Sequence, residues 1–240
     1  IQRLTMAQAL VKHLAALRIE THDGQVVPYC GGVFTIFGHG NVAGLGEALA
    51  AERHRLPTLR AHNEQTMAHA AIAYSKAQFR QRIMAVSTSI GPGATNMVTA
   101  AAVAHVNRLP VLLLPGDVFA NRRPDPVLQQ IESFAQGDVS ASDCFRPVTR
   151  YFDRLTRPEH ILTALPRAIQ MMTDPANCGP ACLSLPQDVQ AMAFVTDGLF
   201  GLFGLADTRA QMLRNRGLSG FDRSGPLKRW FARQAMGLSL

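Results

Sequence analysis

The sequence predicts a doubly wound, three-layer αβα domain with a mostly parallel sheet, followed by an irregular C-terminal tail. Three observations lead there. Short apolar runs alternate with alanine-rich or amphipathic stretches from residue 5 to residue 185. Runs such as Val111-Leu112-Leu113-Leu114 are continuously apolar, which suits parallel strands covered on both faces. Glycine-rich turns, Gly38-His39-Gly40-Asn41 and Gly91-Pro92-Gly93, lead from strands into helices.

Thr5 and Gln8 form a T-x-x-Q capping box, and Ala9, Leu10, His13, Leu14 and Leu17 recur at helical spacing, so a helix is expected over 5–18. Val33 to Phe37 reads as a buried strand. The turn at Gly38–Asn41 follows, then a helix over 44–52 and a short strand over 57–60. Residues 63–79 read as an alanine-rich helix and 83–87 as a strand. Gly91-Pro92-Gly93 turns into a helix over 94–107, and 111–114 is the next strand. Residues 116–150, with Pro124, Pro126 and Pro147, read as a long connection with one short helix near 127–134. Thr156 and Glu159 repeat the capping-box pattern ahead of a helix to about Met172, and 181–185 is the last strand. After Gln190 the pattern fails. The expected organisation is therefore a domain over 1–190 and a poorly packed tail over 191–240 that holds Trp230.

Composition narrows the function classes. With 47% hydrophobic and 17% charged residues the chain can build a core and is not wholly disordered. Of the formal charge of +7, residues 191–240 carry +4, so the basicity is not one coherent face and nucleic acid is not an expected partner. No run approaches the ~20 apolar residues of a membrane helix, and no cleavable signal is expected at the start. Cys30, Cys144, Cys178 and Cys182 make no CxxC pair or zinc-ribbon spacing, as expected for reduced thiols of a cytoplasmic protein. His62 and His69 miss the HExxH spacing, so no metal site is expected.

Two constellations could carry chemistry. Glu64 stands in the first turn of an otherwise apolar helix, either as a charge that complements the helix dipole or as a functional acid. The run Ser87–Asn96 presents glycines and a helix N-terminus, either as a tight turn or as a ligand cradle. A dinucleotide fingerprint is weak: Gly38 and Gly40 are followed by Ala43 where the third glycine belongs, and no acid closes the strand over 57–60. No Walker A run occurs.

Taken in order, GVFTIFGHGNVAG, RAHNEQTMAHAAIAYSKA, STSIGPGATNMVTA, RLPVLLLPGDV and GPACLSLPQDVQ resemble the pyrimidine-binding (PYR) domain of thiamine-diphosphate enzymes, acetolactate synthase and its relatives among them, over about residues 3–190. HNEQTMAHAA, AHVNRLPVLLLPGDVF, PDPVLQQIESF and DCFRPVTRYFDR are similar to the family members that hydrolyse trihydroxycyclohexane-dione in inositol breakdown.

The resemblance implies that Glu64 hydrogen-bonds N1′ of the cofactor's aminopyrimidine and favours the imino tautomer that takes the C2 proton. A carboxyl with tuned proton affinity suits that role. It implies that Gly91, Pro92, Gly93 and Asn96 line the pyrimidine pocket, that Gly38, His39, Gly40 and Asn41 face the reaction centre, and that Gln136 points at substrate, although its spacing to Pro147 is longer than in acetolactate synthase.

Family members also carry a diphosphate-binding (PP) domain whose Gly-Asp-Gly motif and later asparagine hold Mg²⁺. Gly116-Asp117-Val118 and Gly137-Asp138-Val139 lack the second glycine. The expectation is a PYR fragment that meets only the pyrimidine end of thiamine diphosphate, carries no Mg²⁺ ligands and is inactive alone. The PP domain of another subunit or chain, within a homo-oligomeric family, would complete it. A truncated or frame-shifted product accounts for the tail, as does a linker to a partner. A non-catalytic PYR-fold regulator, a carboligase fragment and a nucleotide-binding protein remain as alternatives.

Overall fold

The structure, a computed structural model, describes residues 2–121, 126–133 and 135–196. The elements run β1 (Gln2–Thr5), α1 (Met6–Ala16), β2 (Arg18–Glu20), β3 (Val26–Pro28), β4 (Cys30–Thr35), a π-helical turn (Val42–Gly46) into α2 (Glu47–Ala51), β5 (Thr58–Arg60) and α3 (Glu64–Ala77). They continue with β6 (Ile83–Thr88), α4 (Pro92–Thr95), α5 (Val98–Val106), β7 (Leu112–Asp117), a 3₁₀ helix (Ala141–Val148) and β8 (Tyr151–Arg154). A 3₁₀ turn (Pro158–His160), α6 (Ile161–Thr173), β9 (Ala181–Pro186), α7 (Gln187–Gln190) and β10 (Ala193–Thr196) complete them.

Contacts divide the chain into two compact units, residues 5–194 and residues 1–4 with 195–240. In the second unit the described residues are the ends of β1 and β10, which pair in a two-stranded sheet. Of the tail expected over 191–240, residues 191–196 are described and include β10, and the remainder, Trp230 included, lies outside the described residues.

In the larger unit a six-stranded sheet has the order β5-β4-β6-β7-β9-β8, and each pairing is parallel. This is the expected three-layer α/β architecture. β6, β7 and β9 are buried along their whole length, the counterpart of their mostly apolar sequence. Alternate residues face opposite layers. Met84, Val86 and Leu113 pack with Met67, Ala71 and Ile72 of α3 and with Met97, Ala100 and Ala104 around α5. The alanines let α3 and α5 lie close to the sheet and to each other. On the other face α6 packs on β8 and β9, and α1 on α2 and α6.

The capping box forms as expected: Gln8 N–H donates to Thr5 Oγ1 at 3.1 Å and Thr5 N–H to Gln8 Oε1 at 3.0 Å. Three expectations need correction. Thr156 does not cap α6; the chain turns at Arg157, which is extended (φ −143°, ψ 146°) because Pro158 follows it and opens the 3₁₀ turn. No helix forms near 127–134 among the described residues, because side chains claim the backbone donors. Val127 N–H bonds Gln130 Oε1 at 3.0 Å, and Ile131 N–H bonds Glu132 Oε2 at 3.1 Å. The helix of this connection lies at Ala141–Val148 instead, under a Ser140/Asp143 capping box. The single helix expected over 94–107 is two, α4 and α5, broken at Asn96–Met97.

Two further features went unread. The β2–β3 hairpin carries an Asp23-Gly24 turn with Gly24 at φ +78°, a signal present in the sequence. The edge strand β8 is short and charged and shows no apolar run.

Candidate functional site

The site is set by topology. The chain leaves β4 for β5 on one side and returns to β6 on the other, so the strand order reverses between β4 and β6. In open α/β sheets the crevice beyond the carboxyl ends of strands at such a switch is where ligands bind. The loops after β4, β5 and β6 all end there, and these are the loops that carry Gly38–Asn41, Glu64 and Gly91–Asn96.

Glu64 is the first residue of α3. Asn63 caps the helix, its Oδ1 accepting Thr66 N–H at 2.9 Å, which fixes where the helix starts and thus where Glu64 projects. The half-buried Glu64 carboxylate accepts from Asn96 Nδ2 at 2.8 Å through Oε2. Among the described residues Oε1 takes no hydrogen bond and lies beside Gly93, 3.3 Å from where a Cβ there would stand. That Cβ would also collide with Ser89 Oγ, so glycine at 93 keeps the space next to the free oxygen open. Gly91 adopts φ +57°, ψ −116°, a region closed to side chains, and the Gln129 carbonyl fills the place of its missing Cβ. Pro92 is exposed and opens α4; the break after α4 is what leaves Asn96 free to turn its amide to Glu64.

The loop after β4 is fastened to the loop after β6. Asn41, 1% exposed, donates to Ser87 Oγ at 3.1 Å and to the Thr88 carbonyl at 2.8 Å, and accepts Gly38 N–H at 3.1 Å. Ile90 N–H donates to the His39 carbonyl at 3.4 Å. Gly40 packs on Ile90, and Ser89 lies beneath both Gly38 and Gly93, joining the two groups of predicted residues. His39 Nδ1 is buried without a hydrogen-bond partner among the described residues.

Gln136 behaves differently from the others. It is exposed in a turn where its N–H donates to Ser133 O at 3.1 Å, and no contact joins it to these loops among the described residues. Gln129, seven positions earlier and at φ +64°, is the glutamine set against Gly91 and near Gly38.

Sequence reasoning also missed Gln190. This buried side chain donates to the Gly40 carbonyl at 2.6 Å and the Leu185 carbonyl at 3.0 Å, and accepts Leu45 N–H at 3.2 Å. It ties the loop after β4 to the end of β9. Its signal was the last polar position of the QDVQ run, which carries no chemistry on its own.

Asp117, of the Gly116-Asp117-Val118 run, is buried and engaged. It accepts Ser140 Oγ at 2.7 Å and Ser184 Oγ at 2.8 Å and pairs with Arg154. No three His, Cys, Asp or Glu side chains converge as a metal site among the described residues. None of the described helices is long and apolar enough to cross a membrane.

Residues 30–138 match the family described as thiamine pyrophosphate enzyme, N-terminal TPP binding domain. The chain is similar to proteins named 3D-(3,5/4)-trihydroxycyclohexane-1,2-dione hydrolase. It is 52% identical over 198 residues to those of Bacillus licheniformis and Bacillus subtilis, covering 82% of this chain and 31% of each relative. It is 53% identical over 192 residues to that of Shouchella clausii, covering 80% of this chain and 30% of the relative. The chain thus spans less than a third of the length of these curated relatives.

Proposed function

From the premise that this chain carries the N-terminal TPP-binding domain of the thiamine pyrophosphate enzymes, we propose that it supplies the pyrimidine-facing half of a thiamine diphosphate site in a hydrolase of trihydroxycyclohexane-1,2-dione. The observation that supports this most is the Glu64 carboxylate, oriented by Asn96 through one oxygen and open beside Gly93 through the other. When bound, thiamine diphosphate supplies the carbon nucleophile and electron sink needed to cleave a C–C bond next to a carbonyl.

The residues here fit the aminopyrimidine end. A carboxyl can share a proton with a ring nitrogen, and the opening at Gly93 admits a flat ring edge to Oε1. Asn96 fixes which oxygen faces the opening, since its amide donates to Oε2 alone. Gly91, Pro92 and Gly93 form the wall of the pocket. Gly38, His39, Gly40 and Asn41 form the opposite rim. Gln136 stands apart from this set.

Nothing in this set suits a diphosphate with Mg²⁺, which needs several oxygen ligands in near-octahedral array. That half is assigned to a PP domain on another subunit or another stretch of chain, and this domain alone to weak binding without turnover. A chimera tests the reading. The matched segment of the Bacillus subtilis relative is replaced by residues 3–190 of this chain, and ring opening of the dione is followed with thiamine diphosphate and Mg²⁺. The expected result is turnover lost on Glu64→Gln by at least about a hundredfold, the scale of a proton-transfer group. A folded chimera that is inactive on the dione but active as a carboligase on pyruvate would contradict the substrate assignment.

A further inference from the structure

At the end of the sheet opposite Glu64, where α3, α5 and α6 run into β6, β7 and β9, lies an open cavity of about 470 Å³. That is the size of a small-molecule site. Ile19, Met172 and Pro175 give it an apolar floor, and Arg80 and Arg108 stand on its rim.

Both arginines occupy an unusual place. Arg80 (φ +65°) follows the end of α3 and Arg108 (φ +55°) the end of α5, positions where a left-handed backbone normally selects glycine. Phe79, at φ +51°, shares the feature and the cavity. Three strained residues from two separate helix ends meet at one cavity, and such strain gathers at ligand sites.

The guanidiniums are held by backbone carbonyls. Arg80 donates through Nε to Arg108 O at 3.1 Å and through Nη2 to Asn107 O at 3.4 Å. Arg108 donates through Nη2 to Ala176 O. Carbonyls fix the two groups in position, and neither makes a direct ion pair with a carboxylate among the described residues. Asp174 lies nearby, its pKa lowered chiefly by the Asn177 amide and in part by the Arg108 charge, and its oxygens accept from Ala176 N–H at 2.9 Å and the Asn177 amide at 2.8 Å. Two positioned cations over an apolar floor match one kind of ligand.

We propose that this cavity binds a small organic oxyanion, with its carboxylate or phosphate on Arg80 and Arg108 and an apolar body on Ile19, Met172 and Pro175. The site is separate from the switch-point crevice and does not depend on what binds there.

Phenyl phosphate titrated into the full chain tests it, followed by amide and arginine Nε–H NMR signals. Saturable shifts are expected at Phe79–Gln81, Arg108 and Thr173–Cys178, with a Kd of about 1 mM or tighter. Benzoate in a second titration tells carboxylate from phosphate, and either one saturating supports the site. Arg108→Gln is expected to weaken binding tenfold or more. Because Arg108 also holds Ala176, Ile19→Trp serves as a second variant that narrows the cavity and leaves both guanidiniums in place, with the same expected loss. Shifts that stay absent up to about 10 mM, that spread over the basic surface without saturating, or that benzyl alcohol reproduces equally would overturn the proposal.

Discussion

Glu64 shows how little a residue's type says about its task. A carboxylate in the first turn of a helix is an ordinary dipole partner. What sets this one apart is Asn96, thirty-two positions away, donating to one oxygen while Gly93 clears the space at the other. The residue types were legible in the run Ser87–Asn96, but the pairing was not, since it depends on a helix that stops after four residues at Thr95. Gln136 and Gln129 make the same point from the other side. Both are glutamines in one irregular connection, and only chain geometry decides that Gln129 lies against Gly91.

The buried thiols give a residue-scale prediction. Burial pushes the Cys30 thiol up to about 11, offset in part by backbone hydrogen bonding at Gly32 and Ala85, and burial likewise raises Cys182 and Cys178. A raised acid stays protonated in the folded chain while the unfolded chain ionises first. Stability is thus unaffected below the ordinary thiol range and is lost as the pH rises from there toward about 11. Each such thiol steepens the loss by about 1.4 kcal/mol per pH unit. Between about pH 8 and about pH 10, urea unfolding of the wild type should lose roughly 1 kcal/mol more than Cys30→Ala does. Parallel losses would show that Cys30 ionises equally in both states.

At the scale of elements, the loop after β4 behaves as part of the sheet. Asn41 anchors it to β6 and Gln190 to the end of β9, both through buried amides. Gln190→Ala leaves the Gly40 and Leu185 carbonyls and the Leu45 N–H without this partner, at about 1–3 kcal/mol for each buried group left unpaired. Total stability should fall by about 3 kcal/mol. Hydrogen exchange at Leu45 and Gly38 should quicken more than at β7, whose core is untouched. Uniform acceleration would mean that Gln190 supports the whole fold and not this loop.

The elements best read from sequence were those with one dominant signal: β6 and β7, which open on apolar runs, and α1 with its capping box. Those misread were decided by competition. Side chains took the backbone donors of 127–131, and Pro158 moved the start of α6 past Thr156.

At the scale of the whole molecule, the parallel sheet explains why segments so distant in sequence share one crevice. Each loop after β4, β5 and β6 leaves the same end of the sheet, where the strand order reverses between β4 and β6, the place at which ligands bind in open α/β sheets. The opposite end of the sheet gathers the ends of α3, α5 and α6 and makes the cavity with the two arginines. The architecture was legible because alternation of apolar runs and helices leaves few topologies. Neither the strand order nor the second cavity follows from that alternation, since both depend on which strands become neighbours.

The central claim is that the crevice between Gly38–Asn41 and Gly91–Asn96 receives an aminopyrimidine on Glu64. Thiamine itself, without the diphosphate, reports on that contact alone. Titrated into the chain and followed by amide NMR, it should shift Gly93, Asn96 and the Glu64 N–H with a Kd of about 1 mM, and Glu64→Gln should weaken this tenfold, a loss of about 1.4 kcal/mol. Shifts elsewhere, or equal binding by Glu64→Gln, would contradict the account.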